Sequence, residues 1–516
     1  MFEPYVNEPY SDFSDPDNAA AYQEALGDVR GKFTHHPLVI GGEKVVTDRE
    51  IESLNPARPA EVVGTVSMAD AKTAERALTA AWDAYATWSR LGADERARHL
   101  VKLAAILRDR KYEFSAWETL EASKNWLEAE ADVAEAIDFC EYYARQAIEL
   151  SKPVPVFSYP GEENESHLIP MGAGVVIPPW NFPLAILAGM AVGPVAAGNT
   201  VVVKPASTTP VVAAMFMQAV EDAGFPPGVI NFLPGAGSEI GDVLVDHPRT
   251  RFINFTGSME VGLRIGERAA VVHEGQLWLK RAYMEMGGKD ALVVDETADL
   301  DAAAAAAVTS AYGFQGQKCS ALSRLIVVED VYDAVLDRVV EAVAALPVGP
   351  AEDNVRVNAV ISAAQRRNIL ADIDRGRSEA KLLTGGDPVD LDDGYYIQPT
   401  VFADVAPDAY IAQHEIFGPV LSVLRATNFD QAVQIFNGTQ YGLTGGLFSA
   451  RRDRIERARQ EFHVGNLYIN RKITGALVGV QPFGGFNMSG SNAKAGGPGY
   501  LRLFMEMKTV TERWLV

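Results

Sequence analysis

Two residues of this chain are suited to covalent chemistry: a cysteine in Gly313-Phe314-Gln315-Gly316-Gln317-Lys318-Cys319-Ser320 and a glutamate in Glu285-Met286-Gly287-Gly288-Lys289-Asp290. A thiolate attacks a carbonyl to form a covalent intermediate, and a carboxylate can activate the water that releases it. Cys319 stands among glycines and polar side chains after a helical stretch, a permissive loop rather than a place for an inert core thiol. The other cysteine, Cys140, lies between Phe139 and Glu141 in a helical pattern and is better explained by packing. A third element, Pro178-Pro179-Trp180-Asn181-Phe182-Pro183, sits between a strand and a helix, where the Asn181 amide could stabilise an oxyanion. The run Val203-Lys204-Pro205-Ala206-Ser207 closes the next strand, and the carboxyl ends of parallel strands are where nucleotides bind. Phe255-Thr256-Gly257-Ser258 opens a helix that includes Gly262; its free N–H groups could face a phosphate, and Ser258 as an ordinary N-cap is the plainer account. Gly235, Gly237 and Gly241 follow a predicted strand at 229–233 without completing a GxGxxG fingerprint.

These residues need a scaffold, and the hydrophobic pattern supplies one. Residues 68–150 carry apolar side chains at helical spacing, such as Ala74, Leu78, Ala81, Trp82 and Tyr85, then Leu100, Leu103, Ala104 and Leu107. Residues 151–171, with Pro153, Pro155, Pro160-Gly161 and an acidic cluster, read as an exposed hairpin able to serve as an oligomerisation arm. From Gly172 onward short β-branched runs alternate with helical stretches: strands are predicted at 174–177, 200–203, 229–233 and 252–255. The alternation resumes after about residue 290, with strands at 323–328, 420–424, 446–448 and 466–469. Two doubly wound α/β domains in succession are therefore expected.

Composition narrows the function. With 46 basic against 68 acidic residues the net charge is −22, which disfavours nucleic acid and anionic membranes as partners. An anionic substrate would need local donors. Two cysteines allow no disulfide framework, the N-terminus lacks the basic start and apolar core of a signal peptide, and the apolar run 184–198 is interrupted by Gly189, Gly193 and Pro194. A cytoplasmic protein is the expectation. The eight histidines show no metal-ligand spacing, so no metal is expected.

In order along the chain, Asn181, Lys204, Gly257-Ser258, Glu285, Cys319, Glu415-Ile416-Phe417 and Pro482-Phe483-Gly484-Gly485 resemble the aldehyde dehydrogenase family over roughly residues 35–510. The resemblance implies a Rossmann-type cofactor domain from residues 1–150 and 172–285 and a catalytic domain from 286–484. Residues 151–171 and 485–516 would form an oligomerisation arm and C-terminal segment. It implies that Cys319 attacks an aldehyde, that the Asn181 side chain and the Cys319 N–H hold the oxyanion, and that Glu285 activates the hydrolytic water. The cofactor would be NAD, with Lys204 on the adenosine ribose, Ser258 on the pyrophosphate, Glu415 on the nicotinamide ribose and Phe417 beside the ring. Ile177, Pro178, Pro179, Trp180, Ala206, Gly237, Gly241, Thr256, Gly257, Val261, Met286 and Gly287 would complete that site. Ser207 stands where many NAD-preferring relatives carry glutamate, so NADP is also a credible cofactor. Met286 replaces the family's usual leucine, a volume-conserving change.

The segment 470–483 together with Lys318-Cys319-Ser320 is similar to the members of that family that oxidise L-glutamate γ-semialdehyde to L-glutamate, the last step of proline breakdown. By that resemblance Ser320 and the N–H groups of Gly475 and Ala476 bind the α-carboxylate, with Lys318 nearby and Phe182 and Phe483 flanking the aliphatic stem. A separate proline dehydrogenase would be the functional partner, and the arm would build a homodimer, with a trimer of dimers as a larger assembly. The rival readings are an enzyme for another amino-acid semialdehyde or an aliphatic aldehyde, and, more remotely, a catalytically inert binding protein.

Overall fold

Valine-rich strands and their crossover helices build two seven-stranded sheets in the computed structural model, which describes residues 3–514. In the first sheet the order is Arg281–Glu285, Phe252–Thr256, Ala173–Ile177, Thr200–Val203, Ile230–Phe232, Leu38–Ile40 and Glu43–Val45. The first five run parallel, and the last two add an antiparallel edge. Thr200–Val203 is buried throughout and Ala173–Ile177 nearly so, as expected of strands covered by helices on both faces. At Gly174 the Phe252 ring occupies the space a Cβ would need, so only glycine fits there.

The crossover helices decide where a ligand can bind. Ala185–Ala196 joins Ala173–Ile177 to Thr200–Val203, and Pro210–Asp222 joins the latter to Ile230–Phe232. The chain then returns to the opposite side of Ala173–Ile177 to lay down Phe252–Thr256. The strand order thus reverses between Ala173–Ile177 and Phe252–Thr256, and a crevice opens at their carboxyl ends.

The second sheet runs Lys381–Thr384, Thr400–Ala403, Val420–Ala426, Leu322–Val328, Asp290–Val294, Thr444–Phe448 and Asn466–Ile469, parallel except for its first strand. Glu285 ends the outermost strand of the first sheet and Asp290 begins a central strand of the second. The carboxyl edge of one sheet therefore faces the amino edge of the other across Met286-Gly287-Gly288-Lys289.

The predicted strands are present, and the helical reading of 68–150 holds as four helices, Ala71–Trp88, Ala93–Asp109, Lys111–Ala122 and Trp126–Leu150, preceded by Arg58–Ser67. The apolar faces of the last three meet Ala185–Ala196 and Pro210–Asp222 in one core cluster, while Ala74, Ala77, Leu78 and Ala81 of the first pack against Ala173, Val175 and Val202. Two features differ from expectation. The segment 151–171 is not a self-contained hairpin: Glu162–Pro170 pairs antiparallel with Met505–Arg513, and only a bridge from Val154 to Ser166 folds back locally. Turn residues announce a reversal, whereas a partner strand more than 300 residues away leaves no local mark. Residues before 68, given no elements in advance, contain the helix Pro16–Arg30 and a small sheet of His35–His36, Arg58–Ser67 and Glu50–Asn55. Among the described residues no helix is long and apolar enough to cross a membrane.

Candidate active site

The helix Leu300–Tyr312 ends at Gly313, and the chain then turns through left-handed conformations at Phe314 (φ +47°), Gln315 (φ +56°) and Gly316 (φ +68°). Such a path needs fixed partners, because non-glycine residues occupy this region at a cost. Gln315 Nε2 donates to the Ser123 and Ala359 carbonyls, both at 3.1 Å, and Gln317 Oε1 accepts from Ile361 N–H at 2.9 Å. At Gly316 the Gly418 carbonyl lies where a Cβ would go. The turn delivers Cys319 into a cavity also lined by Glu285, Phe182, Lys318, Ser320, Gly475, Ala476 and Phe483. Asn181 is buried beside it and donates from Nδ2 to the Gln317 carbonyl at 3.0 Å, leaving its second amide hydrogen for another acceptor.

Electrostatics assign complementary states to the thiol and the carboxyl. Burial, with Glu285, Asp290 and Glu415 nearby, pushes the Cys319 thiol well above the usual range. This favours the thiol over the thiolate, and attack by such a group needs a proton acceptor. Glu285 is pushed up to about 8 by burial, with Lys494 pulling the other way. Its Oε1 is buried and has no hydrogen-bond partner among the described residues. A carboxylate poised near neutrality and unencumbered by partners suits general-base work.

The cofactor candidates cluster at successive strand ends of the first sheet. Ile177, Pro178, Pro179 and Trp180 follow Ala173–Ile177; Lys204, Ala206 and Ser207 follow Thr200–Val203; Thr256, Gly257 and Ser258 close Phe252–Thr256; Met286 and Gly287 follow Arg281–Glu285. Lys204 is buried, and burial lowers its ammonium to about 8; its hydrogen bond among the described residues is to the Pro205 carbonyl at 3.2 Å. A desolvated cation so sparsely paired fits a polar ligand. Glu415 accepts from Gly288 N–H at 2.9 Å and is pushed up to about 7 by burial. It leaves no room for a Cβ at Gly287, and with Phe417 it lines a recess that adjoins the cavity through Lys318. Phe417 (φ +54°) meets the Trp180 ring edge to face at 5.5 Å.

One expectation at this turn needs amendment. The N–H of Gly257 is not free for a phosphate, because it donates to the Glu285 carbonyl at 3.0 Å. Ser258 acts as the N-cap of Met259–Ala269, accepting from Val261 N–H at 3.4 Å. Gly237 and Gly241 bound a short turn leading to Asp242–Asp246 and have open space around them, so packing does not demand glycine at either.

The sequence reading missed one wall of the cavity. Helix Trp126–Leu150 contributes Glu128, Ala131, Glu135 and Asp138 to the cavity, a spacing that places all four on one face. Acidic residues recurring at helical spacing in an apolar helix were the available signal. Glu128 pairs with Lys318 at 2.5 Å, so the charge of Lys318 is already balanced. Behind Phe182 lies a fully buried ion cluster in which the Lys124 ammonium meets Glu118 at 3.0 Å and also Asp132, and stands 4.5 Å from the Phe182 ring centre. Asp132 in turn accepts from Ala185 N–H at 2.6 Å, fixing the start of the helix that follows Asn181.

A nucleophile at the amino edge of one α/β sheet and a nucleotide crevice at the carboxyl edge of another define a two-domain dehydrogenase scaffold. The model of the aldehyde dehydrogenase family matches residues 44–510, and the chain belongs to that family. Within it, the chain is 56% identical over 514 residues to the 1-pyrroline-5-carboxylate dehydrogenase of Geobacillus thermodenitrificans, covering 99% of this chain and 100% of that one. It is 53% identical to the 1-pyrroline-5-carboxylate dehydrogenase 1 of Halalkalibacterium halodurans, over the whole of both chains. Among solved structures, the NAD-bound 1-pyrroline-5-carboxylate dehydrogenase from Thermus superposes with a TM-score of 0.99 at 57% identity, covering 100% of both chains. The proline utilization A protein of Bdellovibrio bacteriovorus matches with a TM-score of 0.97 at 45% identity, over 99% of this chain and 53% of that one.

Proposed function

We propose that this chain oxidises L-glutamate γ-semialdehyde, the hydrolysed form of 1-pyrroline-5-carboxylate, to L-glutamate. The observation that carries this reading is one cavity holding Cys319 and Glu285 together with Ser320, Gly475 and Ala476. The first pair supplies nucleophile and base; the second set offers a hydroxyl and two N–H groups to a carboxylate, the local donors an acidic protein needs. Full-length likeness to enzymes of that name supports the substrate.

In this reading the Cys319 thiol releases its proton to solvent as Sγ attacks the aldehyde carbon, and Asn181 Nδ2 and the Cys319 N–H stabilise the oxyanion. NAD, when bound, accepts the hydride that leaves this carbon. Lys204, Ser258, Glu415 and Phe417, with the backbone at Ile177–Trp180 and Met286-Gly287, are the groups assigned to hold it. Ser207 is exposed and carries no carboxylate to repel a 2′-phosphate, so NADP is assigned as a second cofactor. Glu285 then takes a proton from water as it attacks the Cys319 thioester, freeing glutamate.

We assign residues 1–150 and 172–285 to cofactor binding, 286–484 to catalysis, and the paired Glu162–Pro170 and Met505–Arg513 to a dimer arm. Ile169, Met507 and Val510 are exposed on that ribbon, and a two-stranded ribbon is marginal alone. A trimer of such dimers is the proposed larger assembly, and a proline dehydrogenase, as the source of the pyrroline, is the proposed functional partner, both in the cytoplasm.

The test is the rate of NAD and NADP reduction with 1-pyrroline-5-carboxylate and with propanal. Strong preference for the pyrroline compound, abolished in Cys319→Ala while NAD binding persists, is the expected result. Preference for propanal would remove the substrate, and substantial turnover by Cys319→Ala would remove the thioester route.

A further inference from the structure

The turn that carries Gly475 and Ala476 is held from an unexpected direction. Gly475 and Gly479 both adopt φ +77°, and among the described residues, chain neighbours aside, the side chain within 4 Å of the Cβ position of Gly475 is that of Lys472, at 3.5 Å. The turn is therefore thinly packed at Gly475, where it lines the cavity. Its own neighbourhood ties it at the Thr474 carbonyl, which accepts from Arg471 Nη2 at 3.2 Å, at Leu477 N–H, which donates to Gln481 Oε1 at 2.9 Å, and at Gly479 N–H, which donates to the Gly496 carbonyl at 2.8 Å. The carbonyl of Val478 is instead taken by the N-terminal segment: Tyr5 Oη donates to it at 3.1 Å and Asn7 Nδ2 lies 3.0 Å away.

That segment is itself anchored on the cavity wall. Asn7 Nδ2 lies 2.8 Å from Asp138 Oδ2 and 2.8 Å from Tyr5 Oη, and Glu8 N–H donates to Asp138 Oδ1 at 2.8 Å. Ser11 donates from N–H and from Oγ to Glu130 Oε1, each at 2.9 Å. The Tyr5 ring packs edge-on against Tyr142, with centroids 5.2 Å apart, and a Cβ at Gly479 would come within 3.0 Å of Tyr5 and 3.2 Å of Tyr142. The turn is thus seated against two rings and bridged by Asn7 to Asp138, which lines the cavity. Residues 5–11 also lie outside the part of the chain matched by the family model, which begins at residue 44. That is where a device serving one substrate class, rather than the common chemistry, would be found.

We propose that Tyr5 and Asn7 are positioning residues for the carboxylate anchor. By fixing the Val478 carbonyl against helix Trp126–Leu150, they set the position of the Gly475 and Ala476 N–H groups and thereby the affinity for the substrate's α-carboxylate. This rests on the reading of those N–H groups as the carboxylate site.

The test compares Tyr5→Phe, Asn7→Ala and the double variant with the parent enzyme, measuring kcat and KM for 1-pyrroline-5-carboxylate and for propanal, and the melting temperature. Each lost hydrogen bond weakens the tether by about 1 kcal/mol, about fivefold. The double variant is expected to raise KM for the charged substrate by about fivefold or more, with kcat within about twofold of the parent and kcat/KM for propanal unchanged. An unchanged KM in a folded double variant, or equal losses with both aldehydes, overturns the positioning role. A parent enzyme that does not prefer 1-pyrroline-5-carboxylate overturns the functional reading itself, an outcome visible before any variant is made.

Discussion

The ionisation of Glu285 should govern turnover through the release of the thioester. With the carboxyl held at about 8, about a tenth of the enzyme carries the base at pH 7 and about nine tenths at pH 9. Under saturating substrate and NAD, kcat should therefore climb about tenfold between these pH values along a single-ionisation curve. The assay is the steady-state rate of NAD reduction across pH 6 to 10, paired with a stopped-flow measurement of the first turnover. In Glu285→Gln the initial burst of reduced cofactor should persist while the steady state falls by about 100-fold or more, because deacylation has lost its base. The same substitution has a stability signature of definite sign. A group raised from 4.5 to about 8 contributes stability that is intact below its unfolded pKa and is lost as pH rises through the folded value. Glu285→Gln, which cannot ionise, should accordingly melt above the parent at pH 9, with the gap shrinking toward pH 5. A flat pH profile in the parent, or a Glu285→Gln variant that keeps the climb, would refute the assignment.

Removing the Ser320 hydroxyl in Ser320→Ala should raise KM for 1-pyrroline-5-carboxylate by about fivefold and leave that for propanal alone; equal changes would undo the carboxylate assignment. Gly287→Ala forces a methyl group against the Glu415 carboxylate, and titration of NAD by protein fluorescence should show affinity weakened by about tenfold. Lys124→Met strands Glu118 and Asp132 in the core without their cation. Denaturant unfolding at pH 7 should register a loss of about 3 kcal/mol, and an unchanged midpoint would show that the cluster contributes nothing to stability.

The setting of Cys319 was readable because it is local: glycines, glutamines and a preceding helix lie within a few residues of the thiol. Strands such as Thr200–Val203 were readable because burial on both faces leaves an uninterrupted β-branched run. Arg281–Glu285 was harder, since an edge strand with half-exposed residues shows no such run, and only its terminal glutamate drew notice. The acidic face of Trp126–Leu150 and the Lys124 cluster were overlooked because charged residues in a helix ordinarily indicate solvent, and their burial follows from packing against Ala185–Ala196. The N-terminal segment that grips Val478 has no periodicity of its own, and its conformation is set by partners about 130 and 470 residues away.

The bond from Asn181 Nδ2 to the Gln317 carbonyl joins the proposed oxyanion donor to the loop that carries Cys319. Gln317 is in turn fastened to Ile361, so three segments remote in sequence form one frame around the position proposed for the oxyanion. The dipoles are aimed when the chain folds, and little reorientation remains for the reaction to supply. A substitution at Gln317 would consequently slacken the loop that carries Cys319 and return to each turnover the work of ordering the field around it.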